Sequence, residues 1–131
     1  MPKRVISPKS LPDPQGRWSP AILCEGAQRT LYVSGVTSRD SSGDVVGQGD
    51  YQSQTTQICE NLKAILEAAG GTLADIVSMT VFVIDIEQAE AIHRVRRSYF
   101  PKDPPASTMV QVVRLVDKRC LVAFNAIAVL A

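Results

Sequence analysis

The sequence predicts an α+β domain in which a sheet carries two helices on one of its faces. Apolar residues recur at helical spacing over 50–69 and again over 87–99. Around these stretches lie short runs rich in valine and isoleucine that have strand character, 76–85 and 121–129 being the clearest. Placed in chain order these segments give β-β-β-α-β-α-β-β. With 131 residues and 45% hydrophobic content, the chain is expected to form a single domain over 1–131.

The elements follow in order. Residues 3–7 predict a short first strand. Residues 7–20 hold Pro8, Pro12, Pro14 and Pro20 with Gly16, a composition that predicts an extended surface segment. Strands at 20–25 and 30–36 flank Gly26-Ala27-Gln28-Arg29, which predicts a hairpin. The Ser-, Asp- and Gly-rich stretch 37–49 predicts a loop. Asp50 is placed to cap a helix whose apolar side is Tyr51, Thr55, Ile58, Leu62, Ile65, Leu66 and Ala69. Gly70-Gly71 supply its stop, since glycine tolerates positive φ.

In the 76–85 strand, Val77, Met79, Val81 and Val83 fall on one side and Ile76, Phe82 and Ile84 on the other. Apolar character on both sides predicts a central strand covered on both faces. The second helix, 87–99, has the stripe Ala89, Ile92, Val95 and Tyr99, and Pro101, Pro104 and Pro105 end it. The sheet face away from the helices, taken to be apolar through Val83 and the last strands, is expected to be exposed in a monomer. It is therefore a candidate oligomer surface.

Composition excludes several classes of function. Fourteen basic and thirteen acidic residues leave a formal charge of +1, so no global field draws the chain to nucleic acid or a membrane. The 5% aromatic content leaves few platforms for stacking RNA bases. The first residues are too mixed for a signal peptide, and no apolar run reaches the roughly 18 residues that span a bilayer. Cys24, Cys59 and Cys120 cannot all pair within one chain, which points to reduced thiols and a cytoplasmic location. One histidine and no closely spaced Cys/His set predict no metal site, and no cofactor is expected.

The last third of the chain carries the most specific pattern. Pro104-Pro105-Ala106-Ser107-Thr108-Met109-Val110-Gln111-Val112-Val113-Arg114-Leu115 is followed by a polar turn and Leu121-Val122-Ala123-Phe124-Asn125-Ala126-Ile127-Ala128-Val129. Together with Leu31-Tyr32-Val33-Ser34-Gly35 and the helix end at Ala68-Ala69-Gly70, this resembles the RidA/YjgF family of small enamine and imine deaminases. The resemblance covers most of 31–129. It implies a chorismate-mutase-like fold with a mixed sheet, a homotrimer, and ligand clefts between subunits.

Residue by residue, the resemblance implies that Ser34 and Gly35 line the ligand site, where a hydroxyl and backbone amides hold a carboxylate or polarise water. Ser107 stands where the family has an arginine that grips the substrate carboxylate. Ala123 stands where it has a glutamate that positions water. Met109 replaces a frequent cysteine and removes any thiolate role. His93 replaces a frequent asparagine, and Ala21 a frequent tyrosine, with Trp18 nearby.

Compensation for the missing pair is sought on the second helix. His93 is the one side chain that titrates near neutrality unaided, so it is the candidate to move a proton. Arg96 and Arg97 are candidate substitutes for the carboxylate anchor, against the plainer reading of a solvated basic face. Arg114 is a weaker substitute, since its odd offset from Ser107 would turn it to the other side of a regular strand. Asn125 interrupts an apolar run and needs hydrogen-bond partners. These residues predict hydrolytic deamination or tautomerisation of a small, anionic enamine, imine or related metabolite. The alternative is a metabolite-binding trimer without catalysis, and RNA cleavage is a third reading that the charge and the few aromatics oppose.

Overall fold

The computed structural model describes residues 3–10, 13, 15–19, 21–26 and 29–131. The strands are β1 (Lys3–Ile6), β2 (Ala21–Cys24), β3 (Arg29–Val36), β4 (Ile76–Val83), β5 (Ala106–Gln111) and β6 (Val122–Leu130). The helices are α1 (Tyr51–Ala68) and α2 (Ala89–Tyr99), with single 3-10 turns at Leu73–Asp75 and Ile86–Gln88. This is the element order the sequence predicts. The main sheet runs β3-β6-β4-β5, with β5 parallel to β4 and the other pairs antiparallel, so it is mixed. A parallel pair needs a long crossover, and α2 provides it.

The expected hairpin between the second and third strands does not form. β2 pairs with β1, from Lys3↔Cys24 to Ile6↔Ala21, as a separate two-stranded sheet. β3 pairs with β6 instead, which matches Leu31 and Val33 with Ala128 and Ala126 over the core. The longer apolar partner wins, because the pairing buries side chains as well as closing backbone hydrogen bonds. Ala27 and Gln28 of the expected turn lie outside the described residues.

Asp50 caps α1, its carboxylate accepting from the Gln52 N–H at 3.1 Å and the Ser53 hydroxyl at 2.6 Å. At the other end Gly70 takes φ +85°, a conformation that a Cβ would strain. Ile58, Leu62 and Leu66 of α1 and Ile92 of α2 pack on Met79, Val81, Val83, Val122 and Phe124. Both helices therefore cover one face of the sheet. Gln54 is also fully buried on α1, which the apolar stripe did not show. Its amide donates to the Arg119 carbonyl and accepts from the Leu121 N–H, both at 2.8 Å, so its polar ends are satisfied.

Two strand readings are corrected by a bulge and by pairing. The β4–β6 register shifts between Ile76 and Ser78. One extra residue there turns Ile76 into the core, 1% exposed, and Val77 out of it, reversing their expected sides. Val83 lies on the helix side, fully buried, and so contributes nothing to the open face. β4 is central, with a neighbour on each edge, but the chain covers it on the helix side alone. The open face presents Ser78, Thr80 and Phe82 of β4 opposite Ile127, Asn125 and Ala123 of β6, with Tyr32 75% exposed.

Candidate functional site

The buried side of α2 is wider than its apolar stripe. Alongside Ile92 and Val95 it buries His93 and Arg96, 9% and 3% exposed. These two are three residues apart, and so neighbours on one helical face. They look across at β5, the edge strand of the sheet, whose Ser107 and Met109 pair with the core residues Met79 and Val81 and share their side. A strap formed by 17–19 closes the outer edge. Ser19 bridges to Ala106, donates its N–H to the Pro105 carbonyl at 3.0 Å, and donates its hydroxyl to the Pro104 carbonyl. Trp18, His93, Arg96, Ser107 and Met109 then enclose a cavity of about 240 Å³.

The electrostatics of this cavity are one-signed. The Arg96 Nη2 donates to the Ser107 hydroxyl at 2.7 Å, and the guanidinium lies 5.9 Å from the centre of the Phe124 ring. Its Nε is buried and has no hydrogen-bond partner among the described residues. No carboxylate among the described residues forms an ion pair with it. Burial lowers its pKa to about 10, which leaves it cationic at neutral pH. A buried cation without a counterion is costly, and the face of an aromatic ring offsets only part of that.

His93 is its neutral companion. The imidazole lies 6.4 Å from the Trp18 ring at a 44° tilt, and its Nδ1 is buried without a partner among the described residues. Burial first, and the Arg96 charge second, lower its pKa to about 4. At neutral pH it therefore offers one N–H and one lone pair. Cys59 packs behind the pair, and burial pushes its thiol up to about 12, so it supplies no thiolate.

The other predicted site residues lie elsewhere. Ser107 pairs with Met79, and Met79 with Ala126, so Ala123, three residues from Ala126, points to the opposite face. There Ala123, Gly35, Phe82, Leu115 and Val116 line a larger hollow of about 450 Å³. Ser34 and Gly35 sit at the register shift of β3 and are exposed. The charges at this hollow are paired: Asp117 accepts from Arg39 at 2.8 Å and Arg119 at 2.7 Å, and the two guanidinium groups hold its carboxyl far below the usual range. Thus one chain does not bring Ser107 and Ala123 together.

Arg97 points to solvent and pairs with Glu90 at 2.9 Å, away from the cavity that Arg96 enters. Arg114 lies beyond β5, where it donates to the Leu115 and Val116 carbonyls. Asn125 accepts from the Thr80 N–H at 3.2 Å on the open face. Trp18, noted in the sequence only for lying near Ala21, forms a wall of the cavity. The one signal for it was a lone tryptophan at the end of a proline-rich strap. Among the described residues no three of His, Cys, Asp or Glu gather to hold a metal ion, and no helix is long and apolar enough to cross a membrane.

Comparison with known proteins bears on the family and the fold. The family model described as Endoribonuclease L-PSP matches residues 8–130. The 3-aminoacrylate deaminase RutC of Acinetobacter baylyi is 38% identical over 128 residues, covering 98% of each chain. Among solved structures, the Rid-family protein YyfB from Yersinia pestis superposes with a TM-score of 0.91 at 30% identity, over 99% of this chain and 100% of that one. RidA from an Antarctic Psychrobacter superposes with a TM-score of 0.72 at 30% identity, over 97% of this chain and 99% of that one.

Proposed function

The chain belongs to the RidA/YjgF family, whose matching model is described as Endoribonuclease L-PSP, and from that premise we propose that it deaminates a small enamine or imine bearing a carboxylate. The observation that carries this reading is Arg96. Where a family arginine would arise from β5, this chain has Ser107, and a guanidinium delivered by α2 donates to that serine at 2.7 Å. The anchor has moved from strand to helix while its charge stays beside the same β5 position. A substrate carboxylate would take the unused Nε and the remaining Nη positions and supply the missing counterion, as charge-assisted hydrogen bonds. Met109 and Trp18 would form the apolar walls of the small cavity.

Assembly enters through sheet parity. Ser107 and Ala123 lie on opposite faces of one sheet. A homotrimer that packs one subunit's open face near another's helix-side cavity would join them into clefts between subunits. Ser34 and Gly35 would then contribute from the neighbouring edge, and Arg97 would remain outside. Such an assembly would also cover Val113 and Val116, 96% and 98% exposed on the single chain. The three free cysteines suit a cytoplasmic setting.

The test is turnover of 3-aminoacrylate and 2-iminobutyrate, generated in situ, by the wild type and by Arg96→Gln. The wild type is expected to release ammonia and the variant to lose roughly 100-fold or more in kcat/KM, the scale of a lost charge-assisted grip. An Arg96→Gln protein with wild-type rates would sink the reading. A second reading, ligand binding without turnover, is favoured by Ala123, which puts no carboxylate where family members position water. Ligand-induced stabilisation with no ammonia released would select it. For RNA cleavage, a charge of +1 supports no strong phosphate-backbone contact.

A further inference from the structure

We propose that His93 is the catalytic base of the cavity, and that its proton affinity is set by whether Arg96 holds an anion. This rests on the carboxylate-anchoring role proposed for Arg96 and goes beyond it by assigning the proton transfer. Three observations carry it. The His93 ring lines the cavity with a buried Nδ1 that nothing in the described chain bonds. Arg96, its neighbour one helical turn on, is a buried cation without a carboxylate partner among the described residues. No Asp or Glu among the described residues lines that cavity, so the imidazole is the lining side chain with a basic lone pair to accept a proton from water.

The groups facing His93 come from three sides. On α2 they are Arg96 and Arg97, which disfavour its protonation, and Glu90, which favours it. From the strap comes Arg17, which disfavours it. From β5 come Ser107 and Met109, both uncharged. Arg96 is the largest of the charge effects, second only to burial. A carboxylate seated on Arg96 cancels much of that positive field and adds a negative charge near the ring. The empty site therefore keeps the imidazole neutral, and the filled site makes it a stronger base.

The chemistry balances without a co-reactant. The enamine enters as its imine tautomer. Water oxygen bonds to the imine carbon as one water proton passes to the His93 lone pair, and the C=N π pair moves to nitrogen. The imidazolium returns that proton to nitrogen, giving the carbinolamine. A second passage takes the hydroxyl proton through His93 to the amine, the C–N bond breaks, and ammonia leaves a carbonyl compound. Arg96 holds the carboxylate throughout.

The chain has a single histidine, so its ring resonances in an NMR pH titration are unambiguous. Propionate serves as the unreactive anion and propionamide as its neutral counterpart. The free protein is expected to titrate near pH 4. Saturating propionate should move that midpoint up by about one pH unit, the scale of a nearby charge, and propionamide should not raise it. In Arg96→Gln the midpoint should start higher and ignore propionate. His93→Gln and His93→Asn should keep propionate affinity while losing about 100-fold or more in kcat, and imidazole in solution should restore part of the rate to His93→Gly. Failure of the wild type to bind propionate would remove the anchor itself. Binding that leaves the histidine midpoint unmoved, or glutamine and asparagine variants that turn over normally, would overturn the base assignment while leaving the anchor standing. A wild type that binds propionate and deaminates neither imine nor enamine would overturn it as well.

Discussion

The two faces of the sheet differ in how their charges are matched. On the open face, Asp117 is clamped by Arg39 and Arg119, and the hollow beside it is walled by Phe82, Leu115, Val116 and Ala123. On the helix side, the smaller cavity holds a guanidinium with no carboxylate partner and an imidazole nitrogen with no hydrogen bond among the described residues. Paired charges hold loops in place. Unpaired ones in a closed space are ready to act on something that enters. The proposed chemistry goes with the unpaired set on α2 and β5, even though the open-face hollow is the larger.

The sharpest way to break this contrast is to move the guanidinium. Ser107→Arg alone would place a second cation against Arg96, now 2.7 Å from the serine hydroxyl. It is expected to destabilise the fold by about 3 kcal/mol, the scale of an uncompensated buried charge. The exchange Arg96→Ser with Ser107→Arg should recover most of that loss and restore propionate binding, as read by urea unfolding and thermal shift. If the exchanged protein folds but binds no propionate, the position of the cation matters more than its presence.

Protonation of His93 gives the next largest effect. Its folded pKa of about 4 lies below the ordinary 6.5, so the unfolded chain takes up the proton first. Stability is therefore held above about pH 6.5 and falls as the pH drops toward 4, by about 1–2 kcal/mol from this group once solvent screening is allowed for. Urea unfolding across that window should show the slope, and His93→Gln should flatten it. An unchanged slope in the variant would mean that other groups carry it.

Ala123→Glu tests whether the faces meet. In one chain this residue is on the far side of the sheet from Arg96, so an isolated subunit should ignore the change. If a neighbour's open face completes the cavity, the new carboxylate should repel an anionic ligand, and propionate affinity should fall about 5- to 10-fold, around 1 kcal/mol of like-charge contact. The smallest effect expected is local. Asp50→Ala removes the α1 cap and should lower stability by about 1 kcal/mol in urea unfolding, with propionate binding untouched.

Much of the fold was legible because its signals are local. The cap at Asp50, the stop at Gly70 and the stripe of α1 act within a few residues, and the structure keeps all three. Strand partners were less legible. The 26–29 segment looked like a hairpin, yet β2 joined β1 and β3 joined β6, because pairing is decided by which distant strand completes the core. A one-residue bulge after Ile76 exchanged the faces of two apolar residues, and nothing in a run of apolar residues marks where such a bulge falls.

For the site, the sequence by itself determined the inventory: a serine where an arginine was expected, an alanine in place of a glutamate, a single histidine, and arginines crowded on one helix. Periodicity left His93 outside the stripe of Ala89, Ile92, Val95 and Tyr99 and could not separate Arg96 from Arg97. Tertiary packing decided between them. One residue along a helix is a turn of about 100°, and that turn puts Arg96 over the Phe124 ring and against Ser107 while Arg97 faces Glu90 in solvent. Sheet parity likewise set Ser107 and Ala123 back to back, because alternate residues of paired strands face opposite ways, and strand pairing is a property of the whole fold.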